Sequence, residues 1–187
     1  MSKAVKCVVM GVCGAGKTSV AQAIAERYSA TFIDGDDLHP RANIIKMAAG
    51  HPLNDNDRAP WLERIGDVFF SLQHRHISGV VVCSALRKMY RDQIRKDNDG
   101  LVFIHLRGSM ETIIERMAAR QGHYMKKEMV QSQFDTLEIP GADEPDVIEI
   151  SIEQPLDAVI ADTLKALEEV TERQQAADGE ALKCSCC

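Results

Sequence analysis

Short apolar runs alternate along the chain with stretches whose apolar residues recur every three or four positions. The run at residues 3–10 is rich in valine, ends at Gly11 and predicts a buried strand. Residues 17–28 then place Val20, Ala21, Ile24, Ala25 and Tyr28 on one helical face. A second strand at Thr31, Phe32 and Ile33 runs into Asp34-Gly35-Asp36, and residues 39–49 read as a helix stopped by Gly50. Asn54-Asp55-Asn56-Asp57 reads as a turn-rich linker. Its last aspartate is expected to cap a helix with Pro60 in the first turn, where the missing N–H costs little. That helix carries Trp61, Ile65, Val68, Phe69 and Leu72 on one face. Residues 79–85, with valines at 80, 81 and 82, predict a third strand, residues 87–97 a helix, and residues 101–106 a fourth strand. Ser109 caps the next helix, whose apolar face is Met110, Ile113, Ile114 and Met117. Gln121 to His123 interrupt the pattern before a helix over 126–137. Ile148, Ile150 and Ile152, alternating with Val147, Glu149 and Ser151, predict a last strand with one polar face. Leu156, Val159, Ile160, Leu164 and Leu167 form a closing amphipathic helix, and beyond Thr171 the chain turns polar and non-periodic.

Strands alternating with helices, several of them apolar throughout, imply an α/β fold with a parallel sheet covered on both faces. A length of 187 residues fits one domain, placed at 1–172, with 173–187 expected to be a disordered tail. The formal net charge of −6 argues against nonspecific binding to nucleic acid or to an anionic membrane. Basic residues that serve an anionic substrate must therefore be placed locally. No apolar run approaches the ~18 residues of a membrane span, and Met1 to Lys6, without an apolar signal core, are expected to lead straight into the first strand. Cys7, Cys13 and Cys83 are far apart, and Cys184, Cys186 and Cys187 lack the paired spacing of a structural zinc site. Free thiols and a reduced, cytoplasmic location are expected.

Gly11-Val12-Cys13-Gly14-Ala15-Gly16-Lys17-Thr18 matches G-x-x-x-x-G-K-[ST] at every required position. It also stands where that motif works, after a strand and opening a helix. The glycines let backbone N–H groups turn inward around phosphates, and the helix N-terminus adds partial positive charge. Lys17 is expected to neutralise β/γ oxygens of a nucleoside triphosphate, and the Thr18 hydroxyl to ligate Mg²⁺.

The motif does not say what the triphosphate is for, but other strings narrow it. No Asn-Lys-x-Asp guanine-reading motif follows, and the third strand ends Val82-Cys83-Ser84-Ala85 without the acidic residue of a large ATPase. The carboxylates come instead in Asp34-Gly35-Asp36, at the carboxyl edge of the sheet, where α/β proteins bind ligands. One aspartate is expected to hold the Mg²⁺ hydration shell and the other to take the proton of an attacking hydroxyl, in either order.

Longer strings carry a resemblance. The phosphate loop is followed by Asp34-Gly35-Asp36-Asp37-Leu38-His39-Pro40-Arg41, by Gly50-His51-Pro52-Leu53-Asn54-Asp55, and by Asp57-Arg58-Ala59-Pro60-Trp61-Leu62. Cys83-Ser84-Ala85-Leu86-Arg87, Arg116-Met117-Ala118-Ala119-Arg120-Gln121-Gly122-His123 and Gln133-Phe134-Asp135-Thr136-Leu137-Glu138 complete the set. Over roughly residues 4–168 the chain resembles the P-loop gluconokinases of the thermoresistant type, relatives of shikimate and adenylate kinases. The resemblance implies a three-layer fold with a five-stranded parallel sheet and a helical lid at about 121–127. It further implies ATP, Mg²⁺ and D-gluconate as ligands, 6-phosphogluconate as product, and a homodimer.

By that resemblance Asp36 contacts the acceptor hydroxyl and Asp34 the Mg²⁺ through water. A sugar acid brings a carboxylate and a row of hydroxyls, and an arginine fork matches both carboxylate oxygens. Arg58 is the first candidate for it, followed by Arg41 and His39, with Ser84 beside them. Arg116 and Arg120 stand four apart on one helix face, the first set against the adenine and the second on the phosphates during transfer. The same residues would serve another small acid such as shikimate, and a nucleotide-binding protein without catalysis would need only the loop.

Overall fold

The computed structural model describes residues 4–119 and 127–184. Five strands, β1 (Lys6–Met10), β2 (Thr31–Asp34), β3 (Gly79–Val82), β4 (Val102–Arg107) and β5 (Val147–Ser151), form one sheet in the order β2-β3-β1-β4-β5. Every pairing is parallel, with Val8 opposite Val81 on one side and Phe103 on the other. Among the described residues seven α-helices connect and cover them: α1 (Lys17–Tyr28), α2 (Arg41–Ala48), α3 (Asp55–His74), α4 (Lys88–Arg95), α5 (Met110–Ala118), α6 (Lys127–Thr136) and α7 (Leu156–Cys184).

The sheet is apolar on both sides because side chains alternate between two cores. Along β1, Cys7 and Val9 join Val20, Ile24, Ile113 and Val159 in one core, whereas Val8 and Met10 join Leu62, Ile65, Phe69 and Ile94 in the other. From β1 the chain passes over the site of β3 to build β2, and β4 and β5 lie on the opposite side. This reversal of direction beside β1 opens a crevice at the carboxyl ends of the strands.

Some boundaries differ from those expected. Helix α3 begins at Asp55, not after Asp57, because Asn54 and Asp57 form a reciprocal capping box. The Asn54 carboxamide accepts the Asp57 N–H at 2.9 Å, and the Asp57 carboxylate accepts the Asn54 N–H at 2.8 Å. Pro60 therefore lies inside the helix, beyond its first turn. Strand β3 stops at Val82, since Ala85 takes a left-handed backbone with φ 43° and turns the chain away. The expected tail from 173 is instead the continuation of α7 to Cys184. Glu, Arg, Gln and Ala are good helix formers, and an i,i+4 pair of Glu169 and Arg173 at 3.7 Å supports the turn where apolar periodicity stops.

Candidate active site

The loop at residues 11–18 leaves β1 and enters α1 through a left-handed Gly16, with φ 97°. Gly11 must be glycine twice over: its φ is 137°, and a Cβ there would stand 2.7 Å from the Leu106 carbonyl oxygen. Its N–H donates to the Ser84 carbonyl at 3.3 Å, which ties the loop to the end of β3. The Lys17 ammonium folds over the loop and donates to the Gly11 and Val12 carbonyls at 3.0 and 2.9 Å. Burial pulls the pKa of Lys17 down, and the nearby Cys13, Cys83, Asp36 and Asp34 oppose that shift. Both aspartates thus lie within electrostatic reach of the loop lysine. Burial pushes the Cys13 thiol up against the pull of Lys17, and the Cys83 thiol up to about 12. Their sulfurs stay protonated near neutral pH.

Asp34 ends β2 and caps the short 3₁₀ turn, residues Gly35–Leu38, in which Asp36 lies. The Asp34 carboxylate accepts the Asp36 N–H at 3.0 Å and so caps its own turn. Gly35 lets the turn press on β3, because a Cβ there would meet the Val82 carbonyl oxygen at 2.4 Å. The buried Trp61 donates its indole N–H to the Gly35 carbonyl at 2.7 Å, so this tryptophan does more than fill the core. Asp36 itself projects into solvent, with its side chain 85% exposed.

His39 lies beneath Asp36, buried and stacked on Trp61 with ring centroids 4.2 Å apart. The Asn43 carboxamide nitrogen donates to the Asp57 carbonyl at 2.8 Å and approaches His39 Nδ1 at 3.3 Å. A donor at that position makes Nδ1 an acceptor and leaves the ring proton on Nε2, 3.9 Å from Asp36 Oδ1. Burial holds the pKa of His39 below its ordinary value, with Asp36 opposing. At neutral pH a neutral imidazole therefore faces the carboxylate with its N–H.

A cleft of ≈ 700 Å³ opens beside the loop. Its walls come from the start of α3, the turn after β3, α4 and α6; the polar lining includes Asp55, Arg58, Ser84, Arg87, Tyr90 and Gln133, with Asp135 and Glu138 at the α6 side. Arg58 donates to the Leu53 carbonyl and lies over the Tyr90 ring, 5.8 Å from its centroid. Asp55 accepts from the Arg87 guanidinium at 2.6 Å and from the Tyr90 hydroxyl at 2.5 Å. Those two hydrogen bonds hold its carboxyl below the usual range. Gln133 reaches from α6 to accept the Cys13 N–H at 2.7 Å. Cations for a carboxylate and oxygens for hydroxyls thus share one cleft next to the phosphate loop.

The expected site residues divide accordingly. Asp34, Asp36, Lys17, Arg58 and Ser84 converge on the loop and the cleft, and His39 supports Asp36 from below. Arg41 stands exposed at the first position of α2 and does not line the cleft. Arg116 braces the loop from the other side, donating to the Ile152 and Gln154 carbonyls at 2.6 and 2.8 Å and to Ala15 at 3.5 Å. Arg120 and most of the expected lid, 121–126, lie outside the described residues. Asp55, Arg87 and Tyr90 were not legible as site residues, since only the fold brings Asp55 to partners 32 and 35 positions away.

The residues at the loop fit a magnesium ion. Thr18 is exposed on the first turn of α1, and Asp34 and Asp36 add oxygen donors within reach of Lys17's field. Among the described residues no three His, Cys, Asp or Glu side chains gather into a protein-only cage. Magnesium does not need one, since it takes one or two protein oxygens together with phosphates and water.

Comparison with known proteins agrees with this geometry. The shikimate kinase family model matches residues 13–168. The thermoresistant gluconokinase of Escherichia coli (strain K12) is 49% identical over 86% of this chain and 91% of its own. The thermosensitive gluconokinase of the same organism is 50% identical over 78% of each chain. The crystal structure of a gluconokinase from Sinorhizobium meliloti 1021 superposes with a TM-score of 0.83 at 40% identity, covering 95% of this chain and 99% of its own. With a phosphate loop, a carboxylate turn and an arginine-lined cleft held together, the chain belongs to the gluconokinases, within the shikimate kinase family of ATP-dependent kinases.

Proposed function

We propose that this chain transfers the γ-phosphoryl of ATP to D-gluconate, giving 6-phospho-D-gluconate and ADP. The observation that carries the reading is the cleft beside the phosphate loop. There Arg58 and Arg87 offer forks to a carboxylate, while Asp55 and Ser84 offer oxygens to a row of hydroxyls.

In this reading the loop amides and Lys17 hold the β- and γ-phosphates, and Lys17 compensates charge that develops on the transferring group. Asp36 accepts the proton of the attacking hydroxyl, with His39 Nε2–H steadying the carboxylate from below. Mg²⁺, held by Thr18 and through water by Asp34, would neutralise phosphate oxygens when ATP is bound. Arg58 orients the sugar acid through its carboxylate. Arg116 sets the loop edge next to the adenine, and Arg120 belongs to the phosphate-contacting set. The working unit is a single kinase domain over 1–172, acting in the cytoplasm as a homodimer without nucleic-acid or membrane partners. Among the described residues no helix is long and apolar enough to cross a membrane.

A coupled assay with ATP, Mg²⁺ and gluconate, scored by formation of 6-phosphogluconate, tests the reading directly. Shikimate and nucleoside monophosphates run in parallel, because the matching family model is that of shikimate kinase. Turnover on shikimate and none on gluconate would replace the acceptor while leaving the phosphate loop assignment in place.

A further inference from the structure

One side chain joins the cleft to the phosphate loop. Gln133 Oε1 accepts the Cys13 main-chain N–H at 2.7 Å across 120 residues of sequence. The donor is an amide N–H, so the atom it meets can only be the carboxamide oxygen, and the Nε2 group with its two N–H donors occupies the other end. Among the described residues no partner takes those donors, although Gln133 is half-buried and lines the cleft with Asp55, Arg58 and Ser84. No other cleft-lining side chain bonds the loop among the described residues; Ser84 touches it only through its main-chain carbonyl.

We propose that Gln133 is a positioning residue that reads the acceptor: its carbonyl holds the Cys13 amide while its Nε2–H donates to an oxygen of the polyhydroxy acid in the cleft. The carboxamide is neutral, which suits a site between two anions. It can donate toward the acid without adding a charge next to the triphosphate, whereas a lysine or arginine there would compete with Lys17 for phosphate. A rigid two-ended contact of this kind sets the distance between the transferring group and the attacking hydroxyl, where small displacements cost large factors in rate. The inference rests on the gluconate kinase reading, and it adds to the acceptor site a neutral donor that Asp36 and Arg58 do not supply.

The test uses the full chain with Gln133→Met and Gln133→Glu, and wild type is assayed first. Met keeps the volume and removes both ends of the contact; Glu keeps an oxygen for the Cys13 N–H and removes the donors. Both variants should raise the KM for gluconate by roughly ten- to hundredfold, the loss that accompanies a hydrogen bond to a charged ligand. In Gln133→Met the dissociation constant of a non-hydrolysable ATP analogue, measured by calorimetry without gluconate, should stay within about threefold of wild type. A gluconate KM unchanged in Gln133→Met, or a rise matched by equal weakening of ATP, would reduce Gln133 to a brace for the loop and overturn the proposal. Wild type that phosphorylates no gluconate would overturn the functional reading first, a result readily told apart from normal wild-type turnover with an indifferent Gln133→Met.

Discussion

Arg91 and Glu144, both buried, meet in a two-point ion pair, with Nη2 to Oε1 at 2.6 Å and Nε to Oε2 at 2.7 Å. The same guanidinium donates to the Ala85 and Leu86 carbonyls at 3.0 and 3.2 Å and to the Glu138 carbonyl at 3.1 Å. It therefore fastens the left-handed turn after β3, which carries Ser84 into the cleft, to the chain that leaves α6. Removing one partner of such a pair strands a charge in the interior, at a cost of about 3–5 kcal/mol. Arg91→Met and Glu144→Gln should each lower the melting temperature by roughly 6–20 °C in a thermal scan, given ~2–4 °C per kcal/mol at this chain length. A loss of only a degree or two in both would show that the pair is dispensable and that the turn holds itself.

Lys17 and Asp36 should separate catalysis from folding. Asp36 is exposed, and among the described residues its carboxylate makes no hydrogen bond, only a 3.9 Å approach to His39, so Asp36→Asn ought to melt like wild type. Its kcat should fall by about 10²–10⁴, the usual share of a general base. Lys17→Ala should lose at least ~10² in kcat/KM for ATP by removing the cation at the transferring phosphate. Steady-state kinetics on both variants decide the matter. A near-normal kcat in Asp36→Asn would pass the base role to Asp34.

The difference between these two classes of residue marks how far the chain could be read before its fold was known. The loop from Gly11 to Thr18 and the pair Asp34 and Asp36 are local: their chemistry depends on neighbours a few positions away, and glycine spacing exposes it. Helix α3 starts three residues before its expected first turn because Asn54 and Asp57 are both good caps, and only their reciprocal bonding decides which one leads. Asp55 reads as a turn residue until Arg87 and Tyr90 close on it, and Gln133 belongs to a resembling string but has no assignable role until Cys13 meets it. The end of α7 was missed for the opposite reason. Helix propensity alone carries that stretch, without the apolar repeat that makes a helix visible.

Arg58 should control the acid and leave the nucleotide alone. Its guanidinium lines the cleft over Tyr90, and no residue of the phosphate loop is among its hydrogen-bond partners among the described residues. Arg58→Ala should raise the KM for gluconate by roughly tenfold or more, equivalent to ~1.5–3 kcal/mol for a hydrogen bond to a charged group, with the KM for ATP within about twofold. Arg58→Lys should restore little, because a point charge cannot reproduce the planar fork. Equal effects on both substrates would place Arg58 in the general support of the crevice and leave Arg87 as the carboxylate's partner.

Acid should weaken the fold in two stages, and the first belongs chiefly to His105. This residue is buried in β4, its Nδ1 lacks a hydrogen-bond partner among the described residues, and Glu149 lies 3.9 Å away. Burial drives its pKa down to about 4; the charges of Glu149 and Glu144 oppose the shift, and those of Arg91 and Arg107 add to it. The folded value is below the unfolded one, so the unfolded chain binds the proton first. Stability is complete above about pH 6.5 and drains away as the pH falls toward 4, by about 3 kcal/mol at most. Glu144 adds the second stage. Burial raises its carboxyl, but the hydrogen bonds and charges of Arg91 and Arg95 outweigh that and hold it below the ordinary 4.5. Its contribution persists above that pH and is lost as acid protonates it below. Urea titrations at a series of pH values should show both limbs in wild type. His105→Leu should flatten the slope between pH 6.5 and 4, leaving the residue due to His39, and should keep the fall below 4.5. An unaltered upper limb in His105→Leu would mean that another group titrates there and that the buried imidazole is indifferent to the proton.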